Sequence, residues 1–220
     1  MHYNLVFPIW KPVNWSSFDV VKKIRSIIKM KKIGHAGTLD PFAEGILVIC
    51  TGKKTSEVEK YMNLKKEYKG IIQLGCRTAT LDPESKINEY KSTKQINEKK
   101  ILEIKNDFIG KIKQIPPQFS AIKYKGVPMY KYARQNIRIE LKSREVEIYD
   151  FKIDKYNNNT VEFTISCSRG TYIRSIARDF ALKLDTLGYL TKLQRTRIGD
   201  FNINNVINIE NFEEWLFINH

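Results

Sequence analysis

The stretch from Gly34 to Pro41, with the apolar run Ile46–Cys50 behind it, constrains this chain more than any other part. Two glycines within four residues allow positive φ or a close approach of another backbone segment. Pro41 fixes its own φ and disfavours the α region for Asp40, so we expect the Asp40 carboxylate on a loop that leads into a buried strand. Such a loop suits a catalytic carboxylate, although an Asp-Pro turn with ordinary glycine punctuation has the same spacing.

The residue inventory narrows the chemistry further. Of three histidines, His2 and His220 lie at the termini, so a histidine-dependent mechanism would rest on His35 alone. We find no metal-ligand spacing, no dinucleotide fingerprint and no Gly-x-Ser-x-Gly, and a phosphate loop at Gly52-Lys53 is rejected because Leu47 stands where its first glycine is required. A carboxylate that acts as nucleophile or base remains, and no cofactor or metal is expected.

The charge balance favours a polyanionic partner. Lys plus Arg number 38 against 24 Asp plus Glu, a net charge of +14. No long amphipathic basic helix is evident that would lie on a membrane, so nucleic acid is the preferred partner. A non-catalytic RNA-binding protein fits the charge equally well, whereas a nucleosidase or glycosidase for small substrates would explain Asp40 but not the charge.

The three cysteines, Cys50, Cys76 and Cys167, are scattered and sit in apolar contexts. This pattern indicates inert core residues and neither a disulfide framework nor a zinc site. The first twelve residues lack the pattern of a signal peptide, and no apolar run approaches the length of a membrane span. We therefore expect a soluble, cytoplasmic protein.

The motif Gly-His-Ala-Gly-Thr-Leu-Asp-Pro-x-Ala-x-Gly-x-Leu, Gly34 to Leu47, resembles the signature of the TruB family of tRNA pseudouridine synthases. The resemblance continues in separated blocks from about Lys11 to Gly199, with Gln194 where the family commonly has Arg. The other matching blocks are Lys11–Ser17, Lys66–Tyr68, Leu74–Thr80, Gln114–Lys123, Ser166–Arg174 and Gly188–Gly199.

The resemblance implies an enzyme that flips a uridine out of the T loop of tRNA, at position 55, and isomerises it to pseudouridine without a cofactor. By analogy, Asp40 is the nucleophile and Arg174 pairs with it and orients it. Attack on the sugar, attack on the base and proton abstraction by Asp40 remain alternatives. The implied fold is α+β, with a mixed, mostly antiparallel sheet flanked by helices.

By the same analogy, four residues contact the flipped uridine or the RNA around it. Tyr68 stacks on the uracil, His35 contacts RNA, and Tyr172 and Leu193 close the base pocket. Each residue also has a plainer interpretation: Tyr68 as a half-buried strand aromatic, His35 as a buried hydrogen-bonded histidine, and Leu193 as core. Arg174 in a first helical turn opposes the helix dipole, which favours an anionic partner over simple solvation.

The apolar spacing predicts a helix over residues 18–29 capped by Ser16 or Ser17, with Val20, Val21, Ile24, Ile27 and Ile28 on its apolar face. The chain is expected to form a single domain over residues 1–220, with a surface insertion within 83–135 that begins as a loop. We expect no C-terminal PUA-like module, no obligatory protein partner and a monomer. The predicted elements are strands over 46–50, 67–75, 144–154 and 160–167, a helix over 97–108, a short helix around 130–134, and helices from Thr171 to Leu184 and over 209–217.

Overall fold

The computed structural model describes residues 3–219. His2 and His220 lie outside this range, as does Met1, the first of the twelve residues that lack a signal-peptide pattern. The strands are β1 (Val6–Lys11), β2 (Ile33–Ala36), β3 (Glu44–Thr51), β4 (Lys66–Leu74), β5 (Cys76–Thr78), β6 (Ile87–Tyr90), β7 (Gly110–Gln114), β8 (Lys123–Tyr124), β9 (Val127–Pro128), β10 (Arg144–Asn157), β11 (Thr160–Cys167), β12 (Gly188–Ile198), β13 (Phe201–Asn202) and β14 (Ile207–Asn208). The helices are α1 (Ser17–Ile28), α2 (Val58–Asn63), α3 (Glu98–Asn106), α4 (Met129–Arg134), α5 (Ile173–Lys183) and α6 (Phe212–Asn219), with 3-10 helices at Gly52–Glu57 and Ile209–Asn211.

The chain divides into two compact units. The first contains the described residues up to Lys69 and those from Lys192 onward, and the second contains Gly70–Thr191. Strands β4 and β12 each contribute residues to both units. The single domain expected from the sequence stays a prediction.

The first unit is built around β3. Strand β1 pairs with it antiparallel along its whole length on one side. On the other side, the start of β3 pairs with β12 in parallel and its end pairs with β2 antiparallel. Strand β14 extends this arrangement beside β1, and β13 pairs with β12. The loop that carries Asp40 therefore connects two strands that are both paired within this unit.

Helix α1 packs its apolar face into the core of the first unit, as its spacing predicts. Val20, Val21, Ile24 and Ile28 are buried in one cluster with Phe7 and Phe212, whose rings stack at 5.1 Å. Ser16 caps the helix: its side chain accepts from the backbone N–H of Asp19, and the Asp19 carboxylate accepts from the N–H of Ser16. This reciprocal pair satisfies two of the donors that a helix start leaves open.

The second unit has strands in the order β4-β11-β10-β7. Strands β10 and β11 form the predicted hairpin, and Asn158 and Asn159 adopt positive φ in its turn. Beneath it lies a cluster of aromatic rings from Phe108, Phe151, Phe163 and Phe180, with neighbouring centroids 5.7–6.0 Å apart. This cluster packs α5 and the segment just after α3 against the hairpin.

Two local expectations need correction. Residues 87–90 were expected in a surface loop, yet they form β6 and pair with β5, although every one of them is exposed. Tyr172 was expected inside the first turn of α5 but is its capping residue, with extended backbone, while Arg174 does lie in the first turn. The α+β class with a mixed, mostly antiparallel sheet is confirmed. In the large sheet, the pairs β1–β14 and β3–β12 are parallel, and the pairs β1–β3, β2–β3, β7–β10, β10–β11 and β12–β13 are antiparallel. The three cysteines are buried, as expected.

Candidate active-site residues

The loop that carries Asp40 is anchored on both sides of the carboxylate. The Ser17 hydroxyl lies 2.9 Å from the backbone N of Leu39, from which it accepts, and 3.2 Å from the Leu39 carbonyl, to which it donates. On the other side, the carbonyl of Pro41 accepts from the N–H of Asn14 at 2.8 Å. Asp40 itself is partly exposed, between a buried Leu39 and a buried Phe42. Its neighbours are therefore fixed by hydrogen bonds, while Asp40 as a residue is only partly buried.

Lys11 is a fully buried lysine at the end of β1, beneath this loop. Its ammonium donates to the carbonyls of Pro12 at 2.8 Å and Trp15 at 2.6 Å, with a longer contact of 3.4 Å to the carbonyl of Pro41. Burial lowers the pKa of Lys11 to about 8, with Asp40 acting to raise it and Arg195 to lower it. A buried cation thus ties the entry to α1 to the loop beside Asp40.

Arg195, on β12, braces the two ends of the same loop. Its Nε donates to the carbonyl of Ile46 at 2.7 Å and one terminal nitrogen donates to the carbonyl of Gly37 at 3.0 Å. Gly37 and Gly45 both have positive φ, and a Cβ at Gly45 would lie 2.4 Å from the Arg195 carbonyl oxygen. The glycines of the motif therefore provide the loop's turn and the close approach of β3 to β12.

His35 and Leu193 also belong to the first unit. His35 is on β2 opposite Ile49, and its Nδ1 is buried with no hydrogen-bond partner among the described residues. Burial, together with the charge of Arg195, lowers the pKa of His35, which favours the neutral imidazole. Leu193 is buried on β12, one residue before Gln194, whose side-chain amide donates to the Glu44 carboxylate at 3.1 Å.

Tyr68 occupies an inward position of β4, in a strand whose buried and less buried residues alternate. Only 8% of its surface is exposed. This burial agrees with its plain interpretation as a strand aromatic, and its stacking on uracil stays a prediction.

Arg174 lies in the second unit, where it is held by a buried carboxylate that sequence reasoning overlooked. One terminal nitrogen lies 3.2 Å from an Asp82 oxygen and donates to the Thr80 carbonyl at 2.9 Å, and the other donates to the Phe119 carbonyl at 2.9 Å. Arg174 and Asp82 are 4% and 2% exposed. A cation in the first turn of a helix favours an anionic partner, and Asp82 is such a partner for Arg174. The pairing of Arg174 with Asp40, a residue of the first unit, stays a prediction.

Tyr172 is fixed through its backbone by Gln114, which is fully buried at the end of β7. The Gln114 amide donates to the Tyr172 carbonyl at 3.1 Å and accepts from its N–H at 2.8 Å. The Arg144 guanidinium lies 4.9 Å from the centre of the Tyr172 ring, a cation–π distance. The ring stays partly exposed, so its backbone is rigid and its face is stabilised by a cation.

Comparisons with known proteins identify the family of this chain. Residues 25–173 match the model of the TruB family pseudouridylate synthase N-terminal domain. The chain belongs to the TruB family of pseudouridylate synthases. A TruB relative from Clostridium tetani, named tRNA pseudouridine synthase B, is 44% identical over 211 residues, which cover 96% of this chain and 73% of the relative. A relative of the same name from Flavobacterium johnsoniae is also 44% identical, over 96% of this chain and 95% of its own length.

Solved structures share the fold of this TruB-family chain. A chain in a crystal structure of a Cbf5-Nop10-Gar1 complex superposes with a TM-score of 0.75 at 26% identity, over 97% of this chain and 54% of that one. A chain in an H/ACA RNP bound to a substrate RNA containing 2'-deoxyuridine gives a TM-score of 0.72 at 24% identity, over 97% and 53%. This chain therefore spans about half the length of those two chains.

Two further observations on the described residues concern metal binding and membrane spanning. Within residues 3–219 no group of three His, Cys, Asp or Glu side chains is placed to hold a metal ion. No helix in that part of the chain is both long enough and apolar enough to cross a membrane.

Proposed function

We propose that Asp40 is the carboxylate with which this pseudouridine synthase attacks uridine 55 in the T loop of tRNA. The chain is a tRNA pseudouridine synthase: it belongs to the TruB family, and its two bacterial relatives at 44% identity share the name tRNA pseudouridine synthase B. The reaction breaks the bond from N1 of uracil to C1′ of the ribose and forms a bond from C5 to C1′. The proton lost from C5 balances the proton gained at N1, so no redox partner is required.

The observation that carries the assignment of Asp40 is the anchoring of its loop. Ser17 fixes Leu39, Asn14 fixes Pro41, and Arg195 fixes Gly37, all through hydrogen bonds to backbone. A nucleophile must be held close to its productive geometry by groups that are themselves locked. The loop meets this requirement at three points, and carboxylates do form covalent intermediates with sugars.

Arg174 is proposed to keep Asp40 ionised and correctly directed. A guanidinium that is itself held by Asp82, Thr80 and Phe119 has little freedom to reorient, which is the property that a positioning cation needs. An adjacent cation also favours the charged form of a carboxylate.

The target base must leave its stack before it reaches Asp40, at a cost of a few kcal/mol. Stacking on the Tyr68 ring would return about 1–3 kcal/mol. Tyr172 and Leu193 are proposed to close the pocket around the uracil. His35, held neutral by its surroundings, is proposed to contact the RNA.

A basic and aromatic segment of the second unit supports RNA binding. Residues 123–144 hold seven Lys or Arg against one acidic residue, Glu140. Tyrosines interleave with these cations: Lys125 lies 5.6 Å from the Tyr124 ring and Arg134 lies 5.3 Å from the Tyr130 ring. Exposed cations contact phosphates and exposed rings stack on unpaired bases.

The enzyme is further proposed to act in the cytoplasm, as a monomer without an obligatory protein partner.

The decisive experiment replaces Asp40 with Asn, which keeps the size of the side chain and removes its charge. Unmodified tRNA transcript is mixed with excess enzyme, and pseudouridine is mapped by chemical derivatisation during one turnover. We expect Asp40→Asn to lose at least about a thousandfold in rate while tRNA affinity and melting temperature stay close to wild type. Asp200→Asn, an exposed carboxylate of the same unit, is the matched control. Pseudouridine formation by pure Asp40→Asn at a rate near that of the control would exclude Asp40 as nucleophile.

A further inference from the structure

The turn between β5 and β6 contains a chain of side-chain hydrogen bonds that ends on Arg174. The Thr80 hydroxyl oxygen lies 2.5 Å from Asp82 Oδ1, 3.2 Å from the Asp82 carbonyl and 2.8 Å from the Ser85 hydroxyl. The Ser85 hydroxyl also accepts from the N–H of Thr80 at 3.1 Å. The other Asp82 oxygen, Oδ2, lies 3.2 Å from the Arg174 guanidinium. Thr80, Asp82 and Arg174 are all buried.

The donor inventory fixes the direction of this chain. A threonine hydroxyl has one proton, and an ionised carboxylate can only accept, so the Thr80 proton goes to Asp82. The Ser85 hydroxyl must then be the donor in its contact with Thr80. Thr80 also accepts from Arg174 through its carbonyl, at 2.9 Å. It therefore contacts both partners of the ion pair, one through its side chain and one through its backbone.

We propose that Thr80 is a positioning residue for the reaction. By holding Oδ1 of Asp82 it fixes the rotamer of that carboxylate, and thereby the direction in which Oδ2 holds the Arg174 guanidinium. A hydrogen bond to a charged acceptor is stronger than one between neutral groups, so this contact outweighs the ordinary turn contacts around it. The proposal rests on the role that the proposed function gives to Arg174.

The test compares Thr80→Val, which keeps the shape and removes the hydroxyl, with Thr80→Ser, which restores it. In single-turnover assays with saturating tRNA, Thr80→Val should lose about tenfold or more in rate while the Kd for tRNA changes less than about twofold. Thr80→Ser should recover to within about threefold of wild type. Thr164→Val is the matched control, because the Thr164 hydroxyl donates to the Asp154 carboxylate at 2.6 Å in an exposed contact on the β10–β11 hairpin. A wild-type rate for Thr80→Val, or a loss that Thr80→Ser fails to recover, overturns the proposal.

A second background separates this proposal from the role of Arg174 itself. In an Arg174→Met enzyme there is no guanidinium to position, so adding Thr80→Val should change the rate little. An equal loss in both backgrounds would show that Thr80 acts on the fold and would overturn the proposal. A fully active Arg174→Met single variant would instead refute the proposed role of Arg174. Should Thr80→Val fail to fold, Ser85→Ala takes its place, since it removes both contacts of Ser85 with Thr80 and leaves the bond from the Thr80 hydroxyl to Asp82 as the one to be tested. A slower turnover at unchanged Kd supports the proposal and an unchanged turnover overturns it.

Discussion

The buried guanidinium of Arg195 donates to the carbonyl of Gly37, three residues before Asp40, at 3.0 Å. The same side chain donates to the carbonyl of Ile46 at 2.7 Å, behind the loop. One side chain thus spans the beginning and the end of the segment that presents the carboxylate. The loop owes its shape to a residue about 150 positions away in the sequence.

Arg195→Met should therefore slow catalysis and destabilise the first unit. The substitution leaves two carbonyls without their donor, and each unsatisfied buried group costs about 1–3 kcal/mol. We expect the free energy of unfolding to fall by about 2–5 kcal/mol and the single-turnover rate to fall at least about tenfold. Denaturant unfolding and the tRNA assay measure the two effects. Arg197→Met, at an exposed position two residues further along β12, is the control, and equal behaviour of the two variants would contradict the bracing role.

Gly45→Ala should be severely destabilising because the new methyl group would collide with the backbone of Arg195, in addition to the strain of a positive φ. Gly45 has φ +118°, and a Cβ there would meet the backbone of Arg195 at 2.4 and 2.6 Å. Gly110→Ala is a matched control, since Gly110 has φ +91° and no atom near its would-be Cβ. We expect a loss of about 1–2 kcal/mol for Gly110→Ala and more than about 4 kcal/mol for Gly45→Ala, measured by denaturant unfolding. Similar losses would mean that strain alone, without the contact to β12, accounts for Gly45.

Much of the fold follows from local patterns in the sequence. Helix α1 is predicted because its apolar residues recur at helical spacing behind a serine cap, and the β10–β11 hairpin because two alternating strands flank Asn157–Asn159. The loop before β3 is likewise evident from Gly34, Gly37 and Pro41. In each of these cases the determinants lie within about two dozen residues of one another, where propensity and periodicity are informative.

Contacts between distant segments are what the sequence does not disclose. Asp82 stands two residues beyond the Thr78-x-Thr80 pattern, yet nothing local indicates that it pairs with Arg174, 92 positions later. Lys11 precedes a proline and would ordinarily be read as exposed, but three carbonyls gather around its ammonium. All four residues of strand β6 are exposed, so its sequence carries no alternation of apolar and polar residues from which the pairing with β5 could be predicted.

Tyr68 variants test whether a buried strand aromatic also stacks on the target base. Tyr68→Phe keeps the ring and should bind and turn over within about threefold of wild type, whereas Tyr68→Leu should lose about 1–3 kcal/mol of stacking. Single-turnover rates and Kd values for tRNA give the comparison, with melting temperatures to account for lost packing. If Tyr68→Leu equals Tyr68→Phe in both rate and affinity, Tyr68 is only a core residue.

The basic segment should account for a measurable part of the salt dependence of tRNA binding. Lys123, Lys125 and Lys131 are exposed, so replacing all three with Gln should reduce the slope of log K against log salt by about 0.7–0.9 for each phosphate that is no longer neutralised. The control replaces Lys111, Lys152 and Lys183, which form ion pairs with Glu145, Asp154 and Asp107. The two triple variants carry the same net charge, so an equal change in slope would show that net charge alone governs binding.

Lys11 should impose an upper pH limit on activity. The ammonium form has three protons for the carbonyls of Pro12, Trp15 and Pro41, whereas the neutral amine has only two. Burial lowers the pKa of Lys11 to about 8, so the anchor beside Asp40 should weaken above that pH. We expect kcat/KM, which reports ionisations of the free enzyme, to fall as pH rises through about 8. Lys11→Met should be slower throughout and should lack this inflection.

Deprotonation of Lys11 should lower activity but raise the contribution of Lys11 to the free energy of unfolding. These opposite effects distinguish loss of the Lys11 anchor from unfolding of the protein. The pKa of Lys11 is lowered from 10.5 to about 8 by folding, so between these values the unfolded chain binds more protons than the folded one. The contribution of Lys11 to the free energy of unfolding therefore increases with pH across that window. The difference in unfolding free energy between wild type and Lys11→Met, measured from about pH 7 to about pH 10, should shift in favour of wild type while the activity of wild type declines. A decline of both together would show that the alkaline limb reports unfolding and not the Lys11 ammonium.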